Sequence, residues 1–441
     1  MSDPHARRTP SGPRPRRAGR GLPPSLVALR YRNYRLLWAG QLVSIAGNLM
    51  QSAAVLWHVK RFYPGADQLD AAAVALGLVG LVRIGPIIVF SLVGGVVADA
   101  IDRRKMLIIT QASMGTAAVV LAVLTFNGLT VIWPIYVLTA IGAAAAAFDN
   151  PARSALVPSL VPPEHMASAV SLNTTMFQLS AVAGPALGGL IIATLGLGWV
   201  YAINAVSFGA VIAAVLLMRD IPAGAGAQGG AISLHAAWEG LQFVFRAPLI
   251  RGSMLMDFFA TFFASATALL PIFAENVLDV GATGYGVLQA APAAGAFVTA
   301  LIMVPMIRRI HYRGWVMLGS VFVYGAATVA FGLSRSFWLT FACLVVYGAS
   351  DMVSTVIRNV IRQLATPDRL RGRMTSVNMI FFMGGPQLGE LEAGLVASVW
   401  GAAASVISGG IACLVATGWG AASTPEVRRY EREPEEIAAV P

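Results

Sequence analysis

The sequence predicts an all-α membrane protein whose twelve transmembrane helices form two pseudo-symmetric bundles of six. The first observation is composition, because the chain is 57% hydrophobic and only 12% charged, whereas soluble domains carry about 25% charged residues. The second is a set of twelve apolar runs, each near the length of about 20 residues that a helix needs to cross a bilayer. The third is a glycine-rich stretch in the middle of the chain, which separates six runs from the other six.

The twelve predicted spans alternate with short polar connections. Connections as short as Asn127-Gly128-Leu129 leave room only for tight hairpins on one side of the bilayer. The predicted spans are roughly 34–58, 72–97, 106–127, 130–148, 168–194, 199–218, 252–274, 283–306, 315–333, 337–357, 374–398 and 400–419.

Five regions follow from these spans. Residues 1–29 are rich in Arg, Pro, Ser and Gly and have no apolar core, so we expect a disordered basic tail rather than a signal peptide. Residues 220–250 are a linker in which Ser233–Arg246 repeats apolar residues at helical spacing, which indicates an interfacial amphipathic helix. The six-helix bundles occupy residues 30–219 and 251–420, and a second tail occupies residues 421–441.

The basic residues predict the orientation in the membrane. Of the 31 Lys and Arg residues, 27 fall in the tails or in the connections on the same side as the tails. Because basic loops stay in the cytoplasm, we expect a multi-pass protein of the bacterial inner membrane with both termini cytoplasmic. This distribution explains the net charge of +10 through topology and contact with membrane lipids rather than through nucleic-acid binding.

The two halves also share a weak internal repeat. A proline turn follows span 4 at Pro163 and span 10 at Pro367, an offset of 204 residues. Gly-Pro segments then occur in spans 5 and 11, at Gly184-Pro185 and Gly385-Pro386. A repeat of six helices is the pattern of a transporter with a pseudo-twofold axis.

The connection between spans 2 and 3 carries a specific motif. Its glycine and charged residues are Gly95, Asp99, Arg103 and Arg104. Together with the twelve spans and the long central linker, these residues resemble the signature of the major facilitator superfamily, from which Ala100 and Asp102 depart. Other segments resemble a bacterial branch of that superfamily, the enterobactin-exporter-like and macrolide-efflux-like facilitators: Leu29–Tyr34, Asp149–Arg153, Gly184–Gly189 and Gln387–Gly394.

The resemblance implies a gate on the cytoplasmic side. Asp99 would meet the start of helix 11, where the helix dipole carries partial positive charge. Arg103 would pair with Asp149 at the end of helix 4, and Arg104 and Arg153 would complete the gating set. Such contacts would lock the gate and break when the protein opens inward. The alternative is that these are only solvated loop charges.

Helix 5 carries a second segment of this kind. Gly184, Pro185, Gly188 and Gly189 resemble the end of the antiporter motif of exporters, although Ser180 stands where that motif has a glycine. The alternative is ordinary close packing of helices through small residues.

Polar residues within the spans are functional candidates, since they are costly in the membrane. Helix 1 places Gln41, Ser44, Asn48 and Gln51 on one face, continued by His58. This stripe predicts either the wall of a substrate cavity or a set of hydrogen bonds between helices. Arg83 in helix 2 joins the candidate cavity set, and its alternative role is structural.

The second half holds the candidate proton-coupling acids. A proton-coupled exporter needs a carboxyl group that can bind and release a proton near neutral pH. We expect Asp257 and Glu390 to do this, although Glu390 could instead be a neutral, packed acid. The alternative for Glu275 and Asp351 is a simple position at the membrane interface. Asp351 can also pair with Arg358 or with the basic loop that follows span 8.

These observations favour a secondary transporter over other membrane proteins. The sequence has no phosphate-binding loop, no metal-ligand spacing and no extramembrane region large enough for a catalytic domain, so we expect no catalytic residues, metal or cofactor. Cys343 and Cys413 lie in apolar runs and indicate small buried side chains. We expect a monomer.

The expected function is export of an amphipathic small molecule, such as a drug or siderophore, by alternating access and proton antiport. The alternatives are an uptake permease or lipid flippase of the same fold, and more remotely a membrane enzyme or a sensor that does not transport.

Overall fold

The computed structural model describes residues 24–100, 102–219, 242, 244–367 and 371–431. Gln242 and Val244–Arg246 are helical, while the rest of the expected amphipathic helix lies outside the described residues. The same holds for residues 1–23 and 432–441 of the two expected tails.

Twelve long helices make up the described part of the chain. Ten of them belong to segments that are long and apolar enough to cross a membrane, and α4 and α11, which contain charged residues, complete the set. The helices are α1 Arg32–Arg61, α2 Leu69–Ala100, α3 Arg103–Phe126, α4 Trp133–Leu160, α5 Met166–Thr194, α6 Leu197–Leu217, α7 Pro248–Phe263, α8 Gly281–Met306, α9 Arg313–Leu333, α10 Phe337–Ala365, α11 Arg371–Trp400 and α12 Ala402–Ser423.

Short elements connect these helices or flank them. They are the 3₁₀ helices Pro24–Arg30, Ala66–Gln68, Pro163–His165, Ala266–Leu269 and Ile307–Arg309, the helical turns Leu270–Ile272 and Pro425–Arg428, and the π-helical turn Phe273–Val277.

Two matched turns show the internal repeat of the fold. Gly196 precedes α6 with φ of 97°, and Gly401 precedes α12 with φ of 84°. Each glycine lies between the fifth and sixth helix of its half, and a positive φ is favourable there only without a side chain. The two six-helix halves therefore share a local turn geometry as well as their helix order.

Helix α7 ends earlier than the predicted span 252–274. It ends at Phe263, and the chain then forms the 3₁₀ helix Ala266–Leu269 and the π-helical turn Phe273–Val277. Pro271 lies in this irregular stretch and has no backbone N–H to donate to an earlier carbonyl, which weakens the regular helix there. The segment Pro248–Phe263 is thus separated from the rest of the span by a break.

The two ends of the bundle differ in how the halves meet. We call the end with Arg32 and Ser423 the terminal side and the end with Arg61 and Leu69 the distal side. On the distal side, one hydrophobic core joins both halves and includes Trp57, Tyr201, Phe273 and Tyr285. Towards the terminal side, the cores are separate: Leu37, Met106, Leu156 and Val215 belong to the first half, and Met317, Ile357, Ile361 and Val427 to the second.

Glycines allow the halves to approach closely on the distal side. A Cβ built on Gly77 of α2 would lie 3.1 Å from the Cα of Gly394 in α11. A Cβ on Gly189 of α5 would lie 2.6 Å from the Cα of Gly286 in α8. Helices in membranes pack at such distances only through small residues. Among the described side chains, the halves are therefore joined on the distal side, while towards the terminal side their hydrophobic cores are separate.

Candidate functional site

The α2–α3 motif makes hydrogen bonds with backbone groups in this structure. Asp102 caps α3 by accepting hydrogen bonds from the backbone N–H groups of Arg104 at 2.8 Å and Lys105 at 3.2 Å. Arg103 Nη1 donates to the carbonyl of Ala155 in the last turns of α4 at 2.8 Å. Arg104 Nη2 donates to the carbonyl of Val215 at the end of α6 at 2.9 Å. Both bases lie where helix dipoles favour positive charge.

Arg103 does not form the expected pair with Asp149 in this structure. Asp149 is buried in α4 and forms an ion pair with Arg153, one turn further along the same helix. It also accepts hydrogen bonds from Thr110 Oγ1 at 2.9 Å and Gln111 Nε2 at 2.8 Å, both in α3. The nearer Arg153 satisfies the carboxylate, so Arg103 is left to bind a carbonyl.

Gly95 and Asp99 lie in the last turns of α2, and their side-chain surroundings lie outside the described residues. The expected contact between Asp99 and the start of α11 therefore stays a prediction.

The polar stripe of α1 divides into two kinds of residue. Ser44 Oγ donates to Gln111 Oε1 at 3.4 Å, and Gln51 Oε1 accepts from Asn204 Nδ2 in α6 at 2.8 Å. These two residues make the interhelical hydrogen bonds that the sequence left as the alternative. Gln41 is buried, and Asn48 is exposed.

The glycines of the α5 segment provide close helix packing. A Cβ on Gly184 would lie 2.7 Å from the carbonyl oxygen of Ala46, and one on Gly188 would lie 3.0 Å from Met50 Cγ, both in α1. Gly189 faces Gly286 of the other half, and a Cβ on Gly286 would also lie 2.7 Å from the carbonyl oxygen of the buried Pro185. The segment thus packs α5 against its own half and against the opposite half.

Charged and polar residues lie where α1, α2, α8 and α11 meet. Arg83 Nη2 donates to the carbonyl of Ser52 at 3.2 Å and interacts electrostatically with Glu390. Glu390 is buried and packs against Gly80, and its Oε2 has no hydrogen-bond partner among the described residues. Tyr285 of α8 donates from its hydroxyl to the carbonyl of Ala53 in α1 at 2.9 Å. We call Arg83, Glu390 and Tyr285 the floor, because they lie where the two halves meet on the distal side.

An ion pair lies beyond the floor, at the distal surface. Lys60 Nζ is 2.8 Å from Glu275 Oε2, and the lysine side chain is only 1% exposed. The pair joins the end of α1 to the π-helical turn after α7, so it connects the halves. Glu275 was a candidate from the sequence, whereas Lys60 was not. Lys60 could have been identified as one of the few basic residues on the distal side.

A second charged group lies between α7 and α10. Asp257 Oδ1 is 2.8 Å from Arg358 Nη2, and both side chains are buried. Arg358 Nη1 also donates to Ser354 Oγ at 2.7 Å and Nη2 to Thr355 Oγ1 at 2.8 Å. The spacing of Asp351, Ser354, Thr355 and Arg358 along one helix face was the signal that could have identified this group from the sequence.

The described residues include no group of three or more His, Cys, Asp or Glu that could hold a metal ion. Cys343 and Cys413 are both buried free thiols. The chemistry available between the halves is therefore that of carboxyl groups, guanidinium groups, amides and aromatic rings.

Comparison with known proteins agrees with this architecture. Residues 24–436 match the model of the family described as transmembrane secretion effectors, MFS_3. Curated relatives include the enterobactin exporter EntS of Escherichia coli O1:K1, 24% identical over 92% of this chain and 95% of that protein. The Shigella boydii serotype 18 protein of the same name has the same identity and coverage.

Solved structures share the fold. An inward-facing bacterial homologue of the human lysosomal transporter Spinster has a TM-score of 0.71 at 14% identity, and the match covers 92% of this chain and 99% of that one. An inward-facing bacterial homologue of the iron transporter ferroportin has a TM-score of 0.62 at 16% identity, with 88% and 98% covered. The twelve-helix, two-bundle fold that the sequence predicted is therefore confirmed.

Proposed function

Because this chain belongs to the transmembrane secretion effector family of the major facilitator superfamily and is a membrane transporter, not an enzyme, we propose that it exports an amphipathic small molecule by alternating access and proton antiport. The observation that carries this proposal is the asymmetry of the two ends. Among the described residues, the halves form one core on the distal side and separate cores towards the terminal side, as in one of two alternating states.

The basic residues support the direction of this opening. Arg103, Arg104 and Arg153 all lie near the terminal side and bind groups there. By the positive-inside rule this side faces the cytoplasm, so the present state opens inward and can accept a cytoplasmic substrate. Both termini are then cytoplasmic in a bacterial inner membrane.

Two buried acids support proton coupling. Glu390 lies at the contact between α2 and α11, where the halves meet, and its Oε2 has no hydrogen-bond partner in the described part of the chain. Asp257 is held by one arginine from α10. Uncompensated charge is costly in such surroundings, so gain or loss of a proton at either site changes the energy of the helix contacts around it. Proton binding can thereby favour one conformation over the other.

Aromatic side chains support an amphipathic substrate. Phe258 of α7 stacks on Phe262 with ring centroids 5.6 Å apart and meets Phe381 of α11 edge-on at 5.9 Å. All three rings are only half-buried. Stacked rings bind flat apolar groups, while Arg83, Asn48 and Glu390 offer polar contacts. The name of the enterobactin exporters extends this to siderophores as a candidate class, beside lipophilic drugs.

The test is efflux from proteoliposomes under an imposed pH gradient. The purified full chain would be given a panel of dyes and siderophores, with and without the gradient. We expect gradient-driven flux of at least one compound and its loss in the variant that combines Asp257→Asn with Glu390→Gln. Glu392→Gln is the matched control, because this acid lies two residues from Glu390 on a different face of α11. Flux that ignores the gradient, or that survives the double variant, removes the coupling proposal.

The same assay separates the other candidate functions. An uptake permease would accumulate substrate in the opposite direction, and a lipid flippase would move labelled lipid between leaflets instead of soluble compounds. A sensor would show no gradient-dependent flux. We favour export because the names of the curated relatives agree with it.

A further inference from the structure

Exposed basic residues lie at the ends of three neighbouring helices on the terminal side. Arg32 and Arg35 lie in the first turn of α1, Lys105 lies in the first turn of α3, and Arg219 follows the end of α6. We call these four residues, together with the half-buried Arg104, the basic corner. Because α6 packs against both α1 and α3, the five cations form one patch.

Hydrogen bonds hold these helix ends together. Asn33 in α1 donates from Nδ2 to the carbonyl of Arg219 at 2.7 Å and accepts from the backbone N–H of Arg219 at 3.3 Å. Arg104 Nη2 donates to the carbonyls of Val215 at 2.9 Å and Met218 at 3.4 Å, both at the end of α6. The backbone positions of the cations are therefore fixed before a ligand binds, which lowers the entropic cost of binding one.

The basic corner is not matched by acids in the described part of the chain. The acid nearest in sequence, Asp102, caps α3 by accepting from the backbone N–H groups of Arg104 and Lys105, and Asp220 lies outside the described residues. Glu164, near the start of α5, forms no ion pair with these cations among the described residues. The described ion pairs lie elsewhere, at Lys60–Glu275, Asp149–Arg153 and Arg358 with Asp257 and Asp351. An anion at the corner would therefore be attracted by several cations at once.

The surface next to the basic corner is apolar. Leu216 and Leu217 in the last turn of α6 and Ile109 in the second turn of α3 are large exposed side chains. On a membrane-spanning helix such side chains face the acyl chains of lipids. The cations thus begin where the lipid-facing apolar surface ends, which is the level of the phospholipid headgroups. A phosphate group at this level can contact the cations while its acyl chains cover the apolar residues.

Charge and position favour a lipid over the tails of the protein as the occupant. Residues 1–23 are rich in arginine, so the corner repels them. The acidic stretch 431–436 follows Tyr430, whose carbonyl accepts from the backbone N–H of Gly314 in the second half. An anionic phospholipid of the surrounding leaflet is already next to the corner, and each Lys or Arg near the membrane surface strengthens its binding by about fivefold.

We propose that the basic corner binds the phosphate group of an anionic phospholipid, whose acyl chains lie along the exposed apolar residues of α3 and α6. The bound phosphate offsets the repulsion among the cations, so the lipid stabilises the packing of α1, α3 and α6 on the terminal side. This inference goes beyond the proposed transport, because it requires only that the terminal side lies at the level of the headgroups.

The test titrates lipid against the purified full chain in a neutral detergent. Native mass spectrometry counts the lipids that are retained, and thermal unfolding measures their effect on stability. The probes are phosphatidylglycerol, phosphatidylcholine, and glycerol phosphate as an anion without acyl chains. We expect phosphatidylglycerol to be retained and to raise the melting temperature more than phosphatidylcholine does, and glycerol phosphate to have no effect at the same concentration. High salt should weaken the retention of phosphatidylglycerol.

Two matched triple variants locate the site. The first combines Arg32→Gln, Lys105→Gln and Arg219→Gln, and the phosphatidylglycerol concentration for half-maximal retention should rise about a hundredfold. The control removes three exposed charges from the terminal side of the second half, Arg246→Gln, Arg251→Gln and Arg429→Gln. It should leave that concentration nearly unchanged, because salt screens exposed charges that are distant from the bound phosphate.

The outcomes separate a lipid site from its alternatives and from transport. Equal retention of phosphatidylglycerol and phosphatidylcholine, or equal weakening in both triple variants, overturns the proposal. A response to glycerol phosphate as large as that to phosphatidylglycerol identifies a site for a free anion and overturns the assignment to lipid. Neither readout involves efflux, so a failure of the proposed antiport leaves the lipid site standing, and loss of the lipid site leaves the antiport standing.

Discussion

The ammonium group of Lys60 and the carboxylate of Glu275 form a 2.8 Å ion pair that joins the first half of the protein to the second at the distal side. The stacked rings of Trp57 and Tyr285 lie nearby, with centroids 5.1 Å apart. The hydroxyl of Tyr285 binds the backbone of α1. Opening the distal side requires all of these contacts to break, so each of them stabilises the closed distal side.

Glu275→Gln should shift the protein towards distal opening. The substitution leaves the Lys60 ammonium group buried without a counter-charge, which we expect to cost the closed state about 1–3 kcal/mol, less than for a fully buried pair because Glu275 is partly exposed. The measurement is the labelling rate of Ala393→Cys, a position in the distal core, with a membrane-impermeant maleimide. Faster labelling is expected, and the exchanged pair Lys60→Glu with Glu275→Lys should bring the rate back towards that of the unmodified pair.

Gly189→Val should prevent distal closure. The added side chain would enter the space occupied by Gly286 in the other half, since even a Cβ would lie 2.6 Å from the Cα of Gly286. We expect transport to fall at least tenfold, equivalent to about 1.4 kcal/mol or more, because the inward-opening state can no longer form. Efflux assays measure this loss. Gly209→Val is the control, because nothing lies within 4 Å of a Cβ at that glycine, and equal loss in both variants would contradict the explanation.

Arg103→Glu should abolish transport while the protein is still produced. The substitution places a carboxylate beside the Ala155 carbonyl, near the negative end of the α4 dipole. We expect a loss of stability of about 1 kcal/mol, measured as a lower melting temperature in detergent. Arg103→Lys keeps the positive charge and should retain most of the activity. Efflux at the unmodified rate in Arg103→Glu would refute the role of this residue in gating.

Arg153→Leu and Asp149→Asn should differ in their cost to stability. The first leaves a buried carboxylate without its counter-charge, which costs about 3 kcal/mol. The second keeps hydrogen-bonding capacity towards Thr110 and Gln111 and should cost about 1 kcal/mol. Thermal unfolding of the two variants in the same detergent measures the difference. Equal melting temperatures would show that the Asp149–Arg153 pair adds no stability.

Several features of the site could be predicted from local patterns. Asp102 departs from the superfamily motif, yet its place just before a helix with free N–H groups makes it an N-cap. Glycines at Gly184, Gly188 and Gly189 recur at helical spacing, which indicated close packing without revealing the partner. In the structure Gly184 and Gly188 pack against α1, whereas Gly189 packs against the opposite half.

The partners of charged residues were harder to predict. Arg103 and Asp149 both lie near the terminal side, and the resemblance to the superfamily led us to expect that they pair. In the structure Asp149 pairs with Arg153, which lies four residues later on the same helix and is therefore adjacent to it. Arg358 pairs with Asp257, about a hundred residues earlier in the chain, and only the packing of α7 on α10 brings them together.

The sequence by itself determined the class of protein, the number and order of its spans and the family to which it belongs. Backbone polar groups in lipid must be hydrogen-bonded within the protein, and uninterrupted apolar runs of about 20 residues achieve this as helices, so composition and run length are sufficient for that conclusion. The tertiary structure alone decided which end is closed, which acid meets which base, and where α7 breaks. Those features depend on contacts between helices distant in the chain, whose free energies no local pattern records.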